Sequence, residues 1–173
     1  METFIDILKI TIPALITFLA VYVVLNKFMD NEHKKRMFEY RKENQKLLTP
    51  VRIQAYERLI LFLERITPVN LSNRVYKNGM SARMMQTEML KNIRSEYEHN
   101  LSQQIFISSE AWIHLKNAKE EVIKIINVAA TKAPNDADGI SYTKAIYAIM
   151  KEMNANPTEQ AMEVIKKEVQ RYF

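Results

Sequence analysis

The sequence predicts an all-α protein: an N-terminal transmembrane helix that continues into a charged stalk, then a bundle of about five helices. Three observations carry that expectation. Two glycines and five prolines in 173 residues leave little turn chemistry for hairpins, whereas Leu, Ile, Met, Lys, Glu and Ala are plentiful. A run of 17 residues between Lys9 and Lys27, "ITIPALITFLAVYVVLN", carries no charge. Beyond Pro50, apolar residues recur three and four positions apart in several long segments.

The first element is the uncharged run. At ~1.5 Å per residue it spans about 26 Å, near the lower limit for crossing a bilayer, and Lys9 and Lys27 can snorkel to extend it. A secretory signal would have a basic n-region, but here Glu2 and Asp6 occupy it, and "NKFMD" after Leu25 lacks the small residues of a cleavage site. Residues 1–29 are therefore expected to form a membrane anchor. Lys27, Lys34, Lys35, Arg36, Arg41 and Lys42 follow the run and only Lys9 precedes it. The positive-inside rule then places the N-terminus in the periplasm and the rest in the cytoplasm, on a bacterial inner membrane.

Residues 30–48 read as a helical stalk. Met37, Tyr40 and Leu47 make one thin apolar stripe on it, and the basic side chains suit anionic headgroups. Beyond residue 49 there are 17 basic and 14 acidic residues, too balanced for a nucleic-acid surface. Lipid or nucleic-acid binding through the basic stalk is kept as an alternative, with nucleic acid the less favoured.

Thr49 and Pro50 read as a cap and first-turn proline opening a new helix, and with it a domain over residues 49–173. Ala55, Tyr56, Leu59, Ile60, Phe62, Leu63 and Ile66 cover more than half of that helix. Pro68 and Gly79 mark residues 67–81 as a long connection. A third helix is expected from about Ser81 to Gln104, with Leu90, Ile93, Tyr97 and Leu101 facing inward. Ser108 or Ser109 caps a fourth, which buries Ala111, Leu115, Ala118, Val122, Ile125, Ile126 and Ala129 and leaves Trp112 on the rim. Helices near 141–154 and 157–172 follow, the second opened by Asn156 and Glu159 in capping-box spacing.

Chemistry-bearing patterns are few. Cysteine is absent, which excludes disulfides, thiolate catalysis and cysteine-ligated metals. Two glycines cannot build a Walker A loop or a dinucleotide fingerprint. "NDADGIS", residues 135–141, has EF-hand-like spacing at Asp136, Asp138 and Gly139, but Pro134 and Ala145 fall where the loop needs its first and last acids. It reads as a loop with a helix cap. Met80, Met84, Met85 and Met89 crowd the start of the third helix and read as core filling before binding surface.

The densest polar stretch is "EYEHNLSQQIFIS", residues 96–108. On a helix, Leu101, Gln104 and Asn100 fall within about 60° of Tyr97, while Glu96, His99 and Gln103 lie about 100–160° away. Glu96 and His99 stand at the Glu-x-x-His spacing of helical di-iron sites, which need a second such pair and more inward acids. Ala111 stands three before His114, and His33 lies in the stalk, so only a mononuclear site from Glu96, His99 and His114 is left. The favoured reading is a polar seam or partner contact formed by Gln54, Tyr56, Glu57, Arg58, Glu96, His99, Asn100 and Gln104. No residue is assigned a catalytic role and no cofactor is expected. The alternative is a metal-dependent enzyme or sensor built on Glu96 and His99.

"RIQAYERLILFLERITPVNL", followed by "EYEHNLSQQIFIS" and "AW", resembles an uncharacterised Bacteroidota family of small single-pass membrane proteins with QAYER and EYEHN…QQ motifs. The likeness covers Arg52 to about Ala130. It implies one N-terminal span and a domain of unknown function; the contact expected of the helical domain on its own residues is a protein partner or a second copy. It implies no activity.

Overall fold

The computed structural model describes residues 1–134, 136–153 and 156–172, except the side chains of Glu2, Thr3, Ile5, Asp6, Leu8, Ile10 and Tyr172. The described residues form six α-helices: α1 (Glu2–Ile66), α2 (Pro68–Val75), α3 (Ala82–Asn100), α4 (Ser109–Lys132), α5 (Gly139–Glu152) and α6 (Pro157–Tyr172). A 3₁₀ helix, Leu101–Ile105, follows α3. Among them there is no strand, and one isolated bridge pairs Ser81 with Asp138. Backbone contacts divide the chain into two units, Met1–Thr49 and Pro50–Phe173.

In the first unit α1 is the whole structure. It has the length and composition of a membrane span or a signal sequence, and none of its most apolar 18-residue window is buried. Lys27, Lys34, Lys35, Arg36, Arg41 and Lys42 are all exposed.

The expected helix break at Thr49 and Pro50 does not occur, because α1 is helical through both. A proline inside a helix removes one hydrogen bond and costs about 3 kcal/mol. No glycine or second breaker accompanies Pro50, and good helix formers flank it, so the helical backbone continues.

In the second unit α4 is central and packs against α3, α5 and α6. Its buried residues are Ala111, Leu115, Ala118, Val122, Ile125, Ile126 and Ala129, the seven positions that the spacing predicts. Tyr56, Leu59, Phe62, Leu63 and Ile66 of α1 meet them in one core with Met85, Met89, Ile93, Tyr142, Ile146 and Ile165, and Ala55 is buried as well. Met84 is exposed, so the methionine cluster divides between core and surface. Tyr142 donates to the Ile126 carbonyl at 2.7 Å, which satisfies its hydroxyl inside the core.

Residues 67–81 are not simply a connection, since α2 occupies their first half. Pro68 sits in the first turn, where a missing N–H costs nothing. Leu71, Ser72 and Val75 form its buried face. Thr67 Oγ1 lies 3.0 Å from the Leu63 carbonyl and 2.9 Å from Thr158 Oγ1, and Asn156 Oδ1 accepts from the Thr158 N–H at 3.1 Å. Asn156 also donates to the Glu159 carboxylate at 3.2 Å, a side-chain variant of the expected capping box. Ser108 caps α4 by accepting from the Ala111 N–H at 3.1 Å, and Asp138 caps α5 by accepting from Ser141 at 2.8 Å. Those hydrogen bonds from Ser141 hold the Asp138 carboxyl below its usual range. Asn135 of the "NDADGIS" loop and Asn154, the expected end of α5, lie outside the described residues.

Both glycines serve the same junction. Gly79 has φ +82°, a left-handed conformation that closes the turn before α3. Gly139 donates its N–H to the Met80 carbonyl at 2.8 Å, and Ala82 donates to Ala137 at 2.9 Å. A Cβ at 139 would stand 3.1 Å from that carbonyl oxygen and 3.2 Å from both Met85 Sδ and Tyr76 Cδ2. Gly139→Ala is therefore expected to lower stability by about 1–3 kcal/mol, read as a lower midpoint in a thermal melt followed by the single tryptophan, Trp112. An unchanged midpoint would mean that the two loops do not need this approach.

Candidate functional site

Two side chains from distant parts of the second unit, Tyr56 and Ser108, converge on Glu168 of α6, with Arg52 behind Tyr56. Glu168 follows Ala161 and Ile165 on the buried face of that helix, where an apolar residue would continue the pattern. It is only 9% exposed. Tyr56 of α1 donates its hydroxyl to Glu168 Oε1 at 2.7 Å, and the Ser108 N–H donates to the same oxygen at 2.9 Å. The Ser108 hydroxyl donates to Oε2. Arg52, one turn before Tyr56, donates to the Tyr56 hydroxyl at 3.4 Å and to the Phe106 carbonyl at 3.1 Å. The carboxylate thus joins α1, α6 and the entry to α4.

The charge states follow from that geometry. Burial pushes the Glu168 carboxyl up, but the hydrogen bonds from Ser108 and Tyr56, with the Arg52 charge, outweigh it and hold it below the usual range. Burial, then the Glu168 carboxylate, pushes the Tyr56 phenol up to about 12, against the opposing pull of Arg52. The pair therefore rests as a carboxylate accepting from a neutral phenol.

A second polar group surrounds Glu96. Its carboxylate pairs with Arg65 at 3.1 Å and Arg74 at 3.9 Å, linking α3 to α1 and α2. Next to it, Tyr97 packs between Phe62 and Trp112 at centroid distances of 6.1 and 5.8 Å, and the Lys119 ammonium stands 4.2 Å over its ring. Half-buried Glu96 and Tyr97 therefore orient α3 on its neighbours.

The expected seam divides. Tyr56 and Asn100 are buried, whereas Gln54, Glu57, Arg58, His99 and Gln104 are exposed. Asn100 donates to the Glu96 carbonyl at 2.8 Å. Expecting α-helix through Gln104 misplaced the amides, because α3 ends at Asn100. In the 3₁₀ segment residues three apart eclipse, so Gln103 follows Asn100 inward while Leu101 and Gln104 turn to solvent. Among the described residues no group of three or more His, Asp or Glu side chains is placed to hold a metal ion. His99 and His114 both face solvent, and Glu96 is engaged by two arginines.

Arg52, Arg65, Arg74, Ser108 and Glu168 carry more of the observed contacts than the seam residues expected from sequence. One signal could have found Glu168: a carboxylate standing in register with Ala161 and Ile165. The arginines carry no such signal, because arginines on helix faces are common.

A model of a family of unknown function (DUF7935) matches residues 2–172. The chain belongs to this family. No curated protein and no solved structure matches it. In this DUF7935 member the match runs through both units, so the long apolar helix and the helical unit after it belong to one family pattern.

The Glu168 group generates a pH dependence. Its folded pKa lies below the unfolded value, about 4.3, so its stabilisation is present above that value and is lost as pH falls through the folded pKa. Glu168→Gln should lower stability at neutral pH by about 1–3 kcal/mol, and the gap from the parent should narrow as the pH is taken from neutral down through the folded pKa. Trp112 fluorescence melts across that range measure it. A constant gap would assign the loss to packing.

Proposed function

We propose that the chain is a single-pass membrane protein whose second unit is a cytoplasmic interaction domain. Residues 1–29 form the anchor, 30–48 the stalk and 49–173 a helical bundle that meets a protein partner or a second copy. The observation that carries the reading is the exposure of Ile12, Leu15, Ile16, Phe18, Leu19, Val21, Val23, Val24 and Leu25, each about half or more open to solvent. Covering a side chain of this kind is worth about 1.5–3 kcal/mol, so leaving nine in water would cost as much as an entire domain's stability of about 5–15 kcal/mol. A bilayer covers them at once. Glu2, Asp6 and the "NKFMD" sequence argue for an anchor over a cleaved signal. The likeness to single-pass Bacteroidota proteins supports the same location.

The interaction role rests on how the QAYER motif is divided. Tyr56 closes the core through Glu168, while Gln54, Glu57 and Arg58 stand on the solvent face of α1. These three side chains are available to a partner without disturbing the core.

The cations after the apolar run favour an inner-membrane orientation with the N-terminus in the periplasm. Alkaline phosphatase fused after Phe173 should sediment with membranes and stay inactive, while a fluorescent protein fused there should fold and fluoresce. Active phosphatase would overturn the orientation, and a soluble fusion would overturn the anchor.

A further inference from the structure

We propose that the stalk carries a seam for a second copy of this chain, running parallel to the first. Met37, Tyr40, Asn44 and Leu47 are spaced three, four and three apart, the a and d positions of two successive heptads, with Leu48 flanking them. Met37, Tyr40, Leu47 and Leu48 are 56%, 68%, 68% and 55% exposed, and Asn44 is exposed between them. The opposite side of the helix carries Glu39, Lys42 and Lys46. Phe38 lies off the stripe and takes no part.

Asn44 decides the occupant. In an apolar groove of another protein its amide would be buried without a partner, a penalty large enough to cancel a seam this small. Against a parallel copy, each Asn44 meets the same residue of its mate, and the two amides can pair. The inference rests on the membrane-anchored reading. An anchor inserts every copy in one orientation and at one depth, which brings the stripes together in register.

Two features keep the association weak. Two heptads fall short of the three or four that sustain an independent coiled coil, so confinement in the bilayer has to supply the rest. Arg36, which pairs with Glu32 at 3.8 Å, takes a g position facing Arg41 at e of the mate, and that contact is repulsive. The seam is therefore suited to reversible association.

The absence of cysteine from the chain makes the test direct. Single cysteines are placed at each position from 37 to 48 of the full chain, and isolated membranes are treated with an oxidant. Met37→Cys, Tyr40→Cys, Asn44→Cys and Leu47→Cys should give disulfide dimers on the order of fivefold above Phe38→Cys, Glu39→Cys, Lys42→Cys and Lys46→Cys, because only a and d positions of a parallel pair bring Cα atoms within disulfide reach. Adding Arg41→Glu should raise the yield at Leu47→Cys by about twofold or more, since repulsion becomes attraction. A flat scan, a maximum on the Phe38 and Lys42 side, a product of any mass other than two chains, or an Arg41→Glu yield that stays level or falls would each overturn the seam while leaving the anchor intact. A chain missing from the membrane pellet would overturn the anchor, and the parallel seam with it.

Discussion

The Glu168 carboxylate is the group on which closure of the second unit depends. A buried carboxylate is tolerated only when its lone pairs are filled, and here two donors from Ser108 and one from Tyr56 fill them. The same contacts fix α6. Its start meets Thr67, just past the end of α1, through Thr158 and its later turns meet Tyr56 through Glu168, so α6 runs antiparallel to the last turns of α1. An apolar residue at 168 would bury comparable surface but would leave Ser108 and Tyr56 to find other partners. The polar solution fixes which turn of α6 meets which turn of α1.

The two units differ in how their apolar side chains are covered. In the second, the large apolar side chains of α1 facing inward are covered almost completely, as Leu59, Leu63 and Ile66 show at 0% exposure. In the first, the apolar run stands open from Ile12 to Leu25. The same residue types therefore give opposite information in the two places. Exposed polar members of the QAYER and EYEHN stretches, Gln54, Glu57, Arg58 and His99, leave room for a contact outside the chain. Membership of a family of unknown function is compatible with that role and assigns no chemistry to it.

Much of the fold was legible because helical spacing reports burial directly. The α4 positions and the Ala55–Ile66 stripe could be read from period alone, while residue type narrows the cap of α4 to Ser108 or Ser109, and it is Ser108. Two features could not. Pro68 looks the same whether it ends a helix or begins one, and what distinguishes them is the buried Leu71, Ser72 and Val75 face of α2. The switch to 3₁₀ geometry at Leu101 advances the phase of every later residue, which exchanges Gln103 for Gln104 in the interior. The candidate site was less legible still. Residue type and spacing offer Glu96 as a ligand or seam member, but its partners Arg65 and Arg74 lie on two other helices, a pairing that only tertiary structure brings together.

The central claim is that Glu168 acts through its hydrogen-bonded partners and not as an isolated polar residue. A double-mutant cycle on the full chain, Tyr56→Phe and Glu168→Gln singly and together, measures that coupling through Trp112 melts at neutral pH. The account predicts a coupling of about 1–3 kcal/mol, the double variant losing less than the sum of the two single losses. Losses that add to within about 0.3–0.5 kcal/mol would contradict it.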